Sequence, residues 1–233
     1  MQATTIDHLA PQSRGPFEEA SFEPHRMTHA SGSRSSAAVS DVALYRLASV
    51  AGLGSAFILL VNAAKRSSLI ATTDLTQLLA PLAEILALGL IVGLFLAAGR
   101  RAGLFGTISF LINFIALASL EGVEVVINLV FSKLPSATIM DLLAGPLGLV
   151  LTISSMLFLI GTITFAISLA IGKGVPRLAL ALYALGAVPI AFRAFVPELV
   201  LDLGLVILAA AIAWLAGWLW IWAGKMGESS TRA

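Results

Sequence analysis

Six stretches of this chain, 42–64, 78–98, 103–131, 142–171, 177–195 and 199–223, are built almost wholly of Leu, Ile, Val, Phe, Ala and Gly. A helix needs roughly 20 apolar residues to cross the hydrocarbon layer of a bilayer. Within that layer every backbone N–H and C=O must be satisfied by the segment itself, which a helix achieves and an irregular segment does not. The pattern therefore predicts an all-α fold, a polytopic six-helix transmembrane bundle. The third and fourth stretches are longer than one crossing needs, so they must tilt or protrude. Only "FVPE" separates the fifth from the sixth. Pro197 lacks an N–H and restricts its predecessor, so a tight break is expected there.

Composition agrees with a membrane setting. Hydrophobic residues make up 58% and charged residues 12%, whereas soluble domains carry roughly 25% charged residues. The net charge of +1 provides no basic field for nucleic acid. There is no cysteine, which removes disulfides, thiolate metal sites, iron–sulfur clusters and cysteine nucleophiles together. The three histidines, His8, His25 and His29, lie in the first 30 residues, outside every apolar stretch. A histidine-ligated haem, a histidine-bound zinc or di-iron site and a Ser–His protease all need histidine inside the bundle. The rhomboid and prenyl-endopeptidase families are disfavoured on that ground. Neither a phosphate-binding glycine loop nor a nucleophile elbow occurs. The expectation is a protein without cofactor or enzymatic activity.

Residues 1–40 are polar and carry no apolar run, so they read as a disordered cytoplasmic tail rather than a secretory signal. Met27 offers an alternative start that would leave "MTHASGSRSS" as a short leader. Ser40 and Asp41 are candidate N-caps of the first helix. The membrane domain is then 41–224, followed by a cytoplasmic tail, 225–233. With the N-terminus inside, ten Lys and Arg residues fall on the inner face and four, Lys65, Arg66, Lys133 and Arg193, on the outer. The positive-inside rule thus places both termini in the cytoplasm. Trp214, Trp218 and Trp222, with Trp220 beside them, lie toward the inner end of the last segment. They read as an interfacial belt or, alternatively, as a ligand-stacking face.

The polar residues of the bundle are few. In the third stretch Asn113, Leu117, Glu121, Glu124 and Asn128 follow one another at helical spacing, which puts them on one face. A charged residue at mid-membrane costs roughly 2.5–3.5 kcal/mol and each Leu, Ile, Phe or Val returns about 0.3–0.6. The 17 such residues in 103–131 return roughly 5–10 kcal/mol, so both acids are tolerable if they lie off the midplane. Glu84 and Arg193 are expected at similar depth, with Glu198 and Asp202 nearby. One reading gathers Glu84, Asn113, Glu121, Glu124, Asn128 and Arg193 into an outer polar cluster in which Arg193 is the counter-ion. The other leaves the acids at the water interface, with Glu84 a first-turn acid favoured by the helix dipole and Arg193 snorkelling to headgroups. Small residues mark packing faces: Ala48, Gly52, Ser55 and Asn62 in the first stretch, and Ser154, Gly161, Ser168 and Gly172 in the fourth. A hydroxyl-lined path through Thr152, Thr162 and Thr164 is the alternative for the latter.

The run "GKGVPRLALALYALGAVPIAF" (172–192), with Pro176, Arg177 and Gly186 as matching positions, resembles a pattern in uncharacterised six-helix bacterial membrane proteins grouped as domains of unknown function. "LYRLASVAGLG" (44–54) is similar in style to their first helix. The resemblance implies a bacterial inner membrane and no particular activity.

Two functions follow as expectations. The first is a non-catalytic accessory or structural subunit, whose partners are the lipid bilayer and a membrane protein or a second copy. The second is a small transporter or proton-linked channel using the outer glutamates. The second requires a cavity that reaches those acids.

Overall fold

A computed structural model of the chain describes residues 30–231, with side chains over 41–228. All its regular structure is helical: α1 Ala30–Arg66, α2 Asp74–Ala97, α3 Gly103–Val125, α4 Ser136–Ala144, α5 Pro146–Gly172, α6 Arg177–Ala191 and α7 Glu198–Thr231. Among the described residues there is no strand. Five helical stretches are long and apolar enough to cross a membrane, namely Asp41–Arg66, Asp74–Ala97, Gly99–Lys133, Pro146–Gly172 and Glu198–Glu228.

The expected count of six spanning helices needs correcting in two places. The fourth stretch is not one helix over 142–171. Pro146 has no N–H to donate and Gly145 is extended, so the chain breaks there into α4, lying outside the bundle, and α5. The fifth stretch, expected to run to residue 195, is helical only to Ala191, and its 15 residues rise about 22 Å. That falls short of the ~30 Å layer. Phe192–Pro197 forms the turn into α7, and the Pro197 carbonyl accepts the N–H groups of Val200 and Leu201.

Boundaries differ as well. Helix α1 begins at Ala30, so the expected disorder fails over 30–40, and Ser40 and Asp41 lie inside the helix rather than capping it. The rest of that expectation, and the Met27 start, lie outside the described residues. At the other end α7 continues to Thr231, past the 224 boundary set for a tail. Helix α2 starts four residues earlier than its apolar run suggests, because Thr73 and Thr76 form a reciprocal capping box.

The five long helices and the shorter α6 close into a ring in chain order. Helix α1 packs on α2, α2 on α3, α3 on α5, α5 on α6, α6 on α7, and α7 back on α1. Neighbours are antiparallel, so the two ends of the ring collect different residues. Lys65, Arg66, Glu124, Arg193 and Asp202 share one end, where Arg66 Nε lies 3.4 Å from Asp202 Oδ1. Arg101 reaches the carbonyl of Gly172 at the other end. Arg46 stacks over Trp220 there, and Tyr45 packs edge-on against Trp222.

Close helix contacts depend on missing side chains, as expected of small-residue faces. A Cβ on Gly161 would stand 2.8 Å from Asn113 Cα, and one on Gly186 would stand 2.7 Å from the backbone nitrogen of Leu208. One on Gly172 would run into the Ala98 carbonyl. Toward the Arg101 end the interior is dry. Leu90, Leu94, Phe165, Leu169, Leu215 and Leu219 are all fully buried, and Phe95 stacks on Phe110 with ring centroids 4.3 Å apart.

Candidate functional site

The opposite end is polar, and its chemistry starts from a local defect in the third helix. After Val125 the chain makes one π-helical turn, Val126–Val130, in which the N–H of Phe131 bonds to the carbonyl of Val126. A wider turn of this kind disturbs the regular hydrogen-bond ladder and is often found at functional sites. Asn128 compensates: its Nδ2 donates to the Glu124 carbonyl at 3.0 Å and to Glu124 Oε2 at 2.8 Å. Ser132 Oγ donates to the Asn128 carbonyl at 2.6 Å. The defect and the amide side chain together pin the Glu124 carboxylate.

Two cations close this arrangement from opposite sides. Arg193 Nη1 lies 2.6 Å from Glu124 Oε1, with side chains 19% and 10% exposed. Arg193 reaches inward from the turn after α6, two residues beyond its last helical residue. From α1, Lys65 Nζ donates to Asn128 Oδ1 at 2.7 Å and to Gln77 Oε1 at 3.0 Å. The ammonium is buried, yet both acceptors are neutral amides, and among the described residues no carboxylate lies within ion-pair distance of it. The result is a chain of groups, Lys65–Asn128–Glu124–Arg193, running across the mouth of the ring.

Two neighbouring spaces lie within the ring. The outer vestibule has a volume of about 330 Å³ and is lined by Asn62, Lys65, Arg66, Gln77, Glu124, Asn128 and Arg193, with Ile127, Ile190, Leu201 and Leu205 forming an apolar wall. Below it is a chamber of about 30 Å³ to which all six ring helices contribute. Asn62, Glu124, Ile190 and Leu205 line both spaces. A water molecule needs at least ~10–15 Å³ measured this way, so the chamber holds about two.

Glu84 sits in the inner chamber. It follows Asp74 by ten residues along α2, about 15 Å of rise. This removes the first-turn, helix-dipole reading: the helix starts earlier, and its first-turn acid is Asp74. Glu84 is 8% exposed, and its Oε2 has no hydrogen-bond partner. Ser55 Oγ, from α1, is buried in the same chamber and is also unpartnered. At the chamber floor the Tyr183 hydroxyl accepts a long hydrogen bond, 3.5 Å, from Asn113 Nδ2, while Thr162 Oγ1 donates to Asn113 Oδ1 at 3.4 Å. Buried polar groups are ordinarily satisfied, so two orphans facing one space are a specific feature.

Five of the six candidate residues are thus distributed over three levels. Glu124, Asn128 and Arg193 form a hydrogen-bonded group lining the vestibule, and Glu124 also lines the chamber. Glu84 lies below them, within the fields of Glu124, Arg193 and Glu121. Asn113 is deeper still, bridging α5 and α6 beneath the chamber. Glu121 lines neither space and is half-buried. At about 100° per residue the buried stripe of α3 runs Asn113, Leu117, Leu120, Glu124. Glu121 lies about 70° off the centre of that stripe.

Four participants were not singled out from the sequence as site residues. By sequence Lys65 counts only among the outer basic residues, Gln77 falls just before the second apolar stretch, and Ser55 and Asn62 read as members of a packing face. Their signal was faint but present: Ser55, Asn62 and Lys65 recur at helical spacing on α1, continuing a polar row into an apolar helix.

Compared with known proteins, the chain matches no protein-family model, no curated protein and no solved structure.

Proposed function

We propose that this protein is a small proton-linked transporter of the bacterial cytoplasmic membrane, with both termini in the cytoplasm and its vestibule opening outward. The observation that carries the reading is the two-tier cavity: a vestibule lined by Asn128, Glu124 and Arg193 adjoins, across Glu124, a chamber holding Glu84 with its unpartnered Oε2. A carboxyl group held this deep in an apolar ring is expensive as an unpaired charge and tends to mark an ion or proton pathway. All six ring helices contribute to the chamber, so changes there can couple to rearrangement of the bundle. The Leu and Phe layers below fit a state open on one side only, as alternating access requires.

The orientation rests on the charge distribution. Among the described residues Lys65, Arg66, Lys133 and Arg193 gather at the vestibule end, and Arg46, Arg100, Arg101, Lys173, Arg177 and Lys225 lie toward the other, which favours the latter as cytoplasmic.

The test is reconstitution into liposomes containing a pH-reporting dye. A panel of impermeant solutes (amino acids, hydroxy acids, sugars and amines) is added outside one at a time. At least one class should acidify the lumen, and Glu84→Gln should abolish the signal while the protein still folds. If no class does so, and mild extraction from native membranes brings out a stoichiometric larger assembly, the protein is an accessory subunit. That second reading has one observation in its favour. Helix α4 and the start of α5 carry Met140, Leu142, Leu143, Leu149 and Val150 exposed outside the ring, an apolar ledge that a membrane partner or second copy could cover.

A further inference from the structure

We propose that the vestibule binds a small monocarboxylate on Lys65 and that each bound anion brings one proton onto Glu84. This rests on the transporter reading above and names what is carried.

The argument is a balance of charge. The charges that act on Glu84 are Glu124 and Glu121 on α3 and Arg193 in the turn after α6, and Tyr183 of α6 shares its chamber. Lys65 and Arg66 of α1 line the adjoining vestibule, where Asp202 of α7 pairs with Arg66. Glu121 lines neither space and is half-buried, so solvent screens it, and it is the last of the three charges acting on Glu84. Arg193 is matched by Glu124 and Arg66 by Asp202. Lys65 is left over as a cation, with two of its three N–H donors on neutral amides. Glu84 is left over as an acid with a bare oxygen.

Counting only the groups that line the two spaces and their ion-pair partners (Lys65, Arg66 and Arg193 against Glu84, Glu124 and Asp202), the site is neutral with Glu84 ionised and the vestibule empty. An anion alone would make it negative, and a proton alone would make it positive. Either excess is costly in a poorly solvated ring. Anion and proton together restore neutrality: the carboxylate pairs with Lys65, and Glu84 becomes a carboxylic acid whose O–H can meet the Ser55 hydroxyl. The proton comes from outside water and no bond other than O–H is formed. Each ligand therefore raises the affinity for the other, as linkage requires.

Shape selects the class further. Only one cation is unmatched, so one negative charge is accommodated and a second is not. At about 330 Å³ the vestibule lies at the low end of the roughly 300–1,000 Å³ usual for small-molecule sites. Its Ile127, Ile190, Leu201 and Leu205 wall, facing the polar side, suits a short carbon chain behind the carboxylate. The inner chamber is too small for such a chain and large enough for water and a proton.

The experiment is isothermal titration of the purified full-length protein in lipid nanodiscs with lactate, pyruvate and butyrate, and with lactamide as the neutral control. Titration in two buffers of different ionisation enthalpy counts protons. The expected result is binding of at least one carboxylate, uptake of one proton per anion, affinity that falls as pH rises, and no response to lactamide. Glu84→Gln should still bind the anion, with no proton uptake and a flat pH profile. Lys65→Met should weaken binding at least about tenfold, the effect of one charge-assisted hydrogen bond, and Lys65→Arg should restore most of it. Binding without proton uptake, equal binding of lactamide, or no binding by any of the three anions overturns the inference. Acidification of liposomes by a sugar or an amine alone would overturn it while leaving the transporter reading standing.

Discussion

The ion pair between Arg193 and Glu124 sets up a sharp energetic test. At 2.6 Å and an effective dielectric constant near 20, the attraction between unit charges is about 6 kcal/mol. Much of that is offset by the several kcal/mol per ion needed to strip water from both groups. Removing one partner loses the attraction and leaves the other group's desolvation uncompensated, which costs about 3–5 kcal/mol for a fully buried pair. Here the side chains are 19% and 10% exposed, so Arg193→Gln should cost about 2–3 kcal/mol, at or just below the low end of that range. Glu124→Gln should cost a similar amount, softened because its amide carbonyl can still accept from Asn128 Nδ2. The double variant places two neutral amides side by side and should cost less than the sum by at least ~1 kcal/mol. Reversible unfolding in mixed micelles, followed by tryptophan fluorescence, measures this well. All four tryptophans lie between residues 214 and 222, at the far end of the ring, so they report global unfolding rather than the local change. Strictly additive single-variant costs would refute the coupling and the hydrogen-bonded group built on it.

Further outcomes follow from the same contacts. Gly161→Ala should destabilise by about 1–3 kcal/mol through overpacking, since its Cβ would press on the Asn113 backbone, whereas Gly122→Ala, with nothing within 4 Å, should be neutral or stabilising; the same unfolding assay separates them. Asn128→Leu should cost about 2–4 kcal/mol, because it strips partners from Lys65 and from both the carbonyl and carboxylate of Glu124, whereas Ser132→Ala, one hydrogen bond away, should cost about 1 kcal/mol. Because the chain has no cysteine, single Thr72→Cys and Arg101→Cys variants test orientation: an impermeant maleimide should label the first in intact cells and the second only after permeabilisation, and the reverse pattern would invert the topology.

The segments that form helices were plain from hydrophobic length, because a bilayer-spanning chain has so few other ways to satisfy its backbone. What sequence periodicity missed were local events. The Gly145–Pro146 break, the Thr73–Thr76 cap and the early end of α6 each turn on one or two residues inside or beside an apolar run, where hydropathy is blind. The polar stripe of α3 was legible because Asn113, Glu124 and Asn128 stand out against leucine and valine. Its centre was misjudged by one position at Glu121, since the true stripe passes through the apolar Leu120. Lys65 and Gln77 were illegible as site members because an end-of-helix lysine and a glutamine near a loop are commonplace at a water interface.

By itself, then, the sequence determined that this chain is a bundle of apolar helices, which residues on the third helix need a partner, and which chemistries the lack of cysteine and of intramembrane histidine removes. Those are consequences of composition and spacing along one chain. Only the tertiary structure decided that the ring closes α7 onto α1, that a π-helical turn aims Asn128 at Glu124, and that Lys65 and Arg193 meet there from helices far apart in sequence. It alone placed Glu84 in a chamber inside the ring instead of at the surface. The physical reason is that burial and charge pairing are properties of neighbours in space, and in this ring the decisive neighbours come from every helix at once.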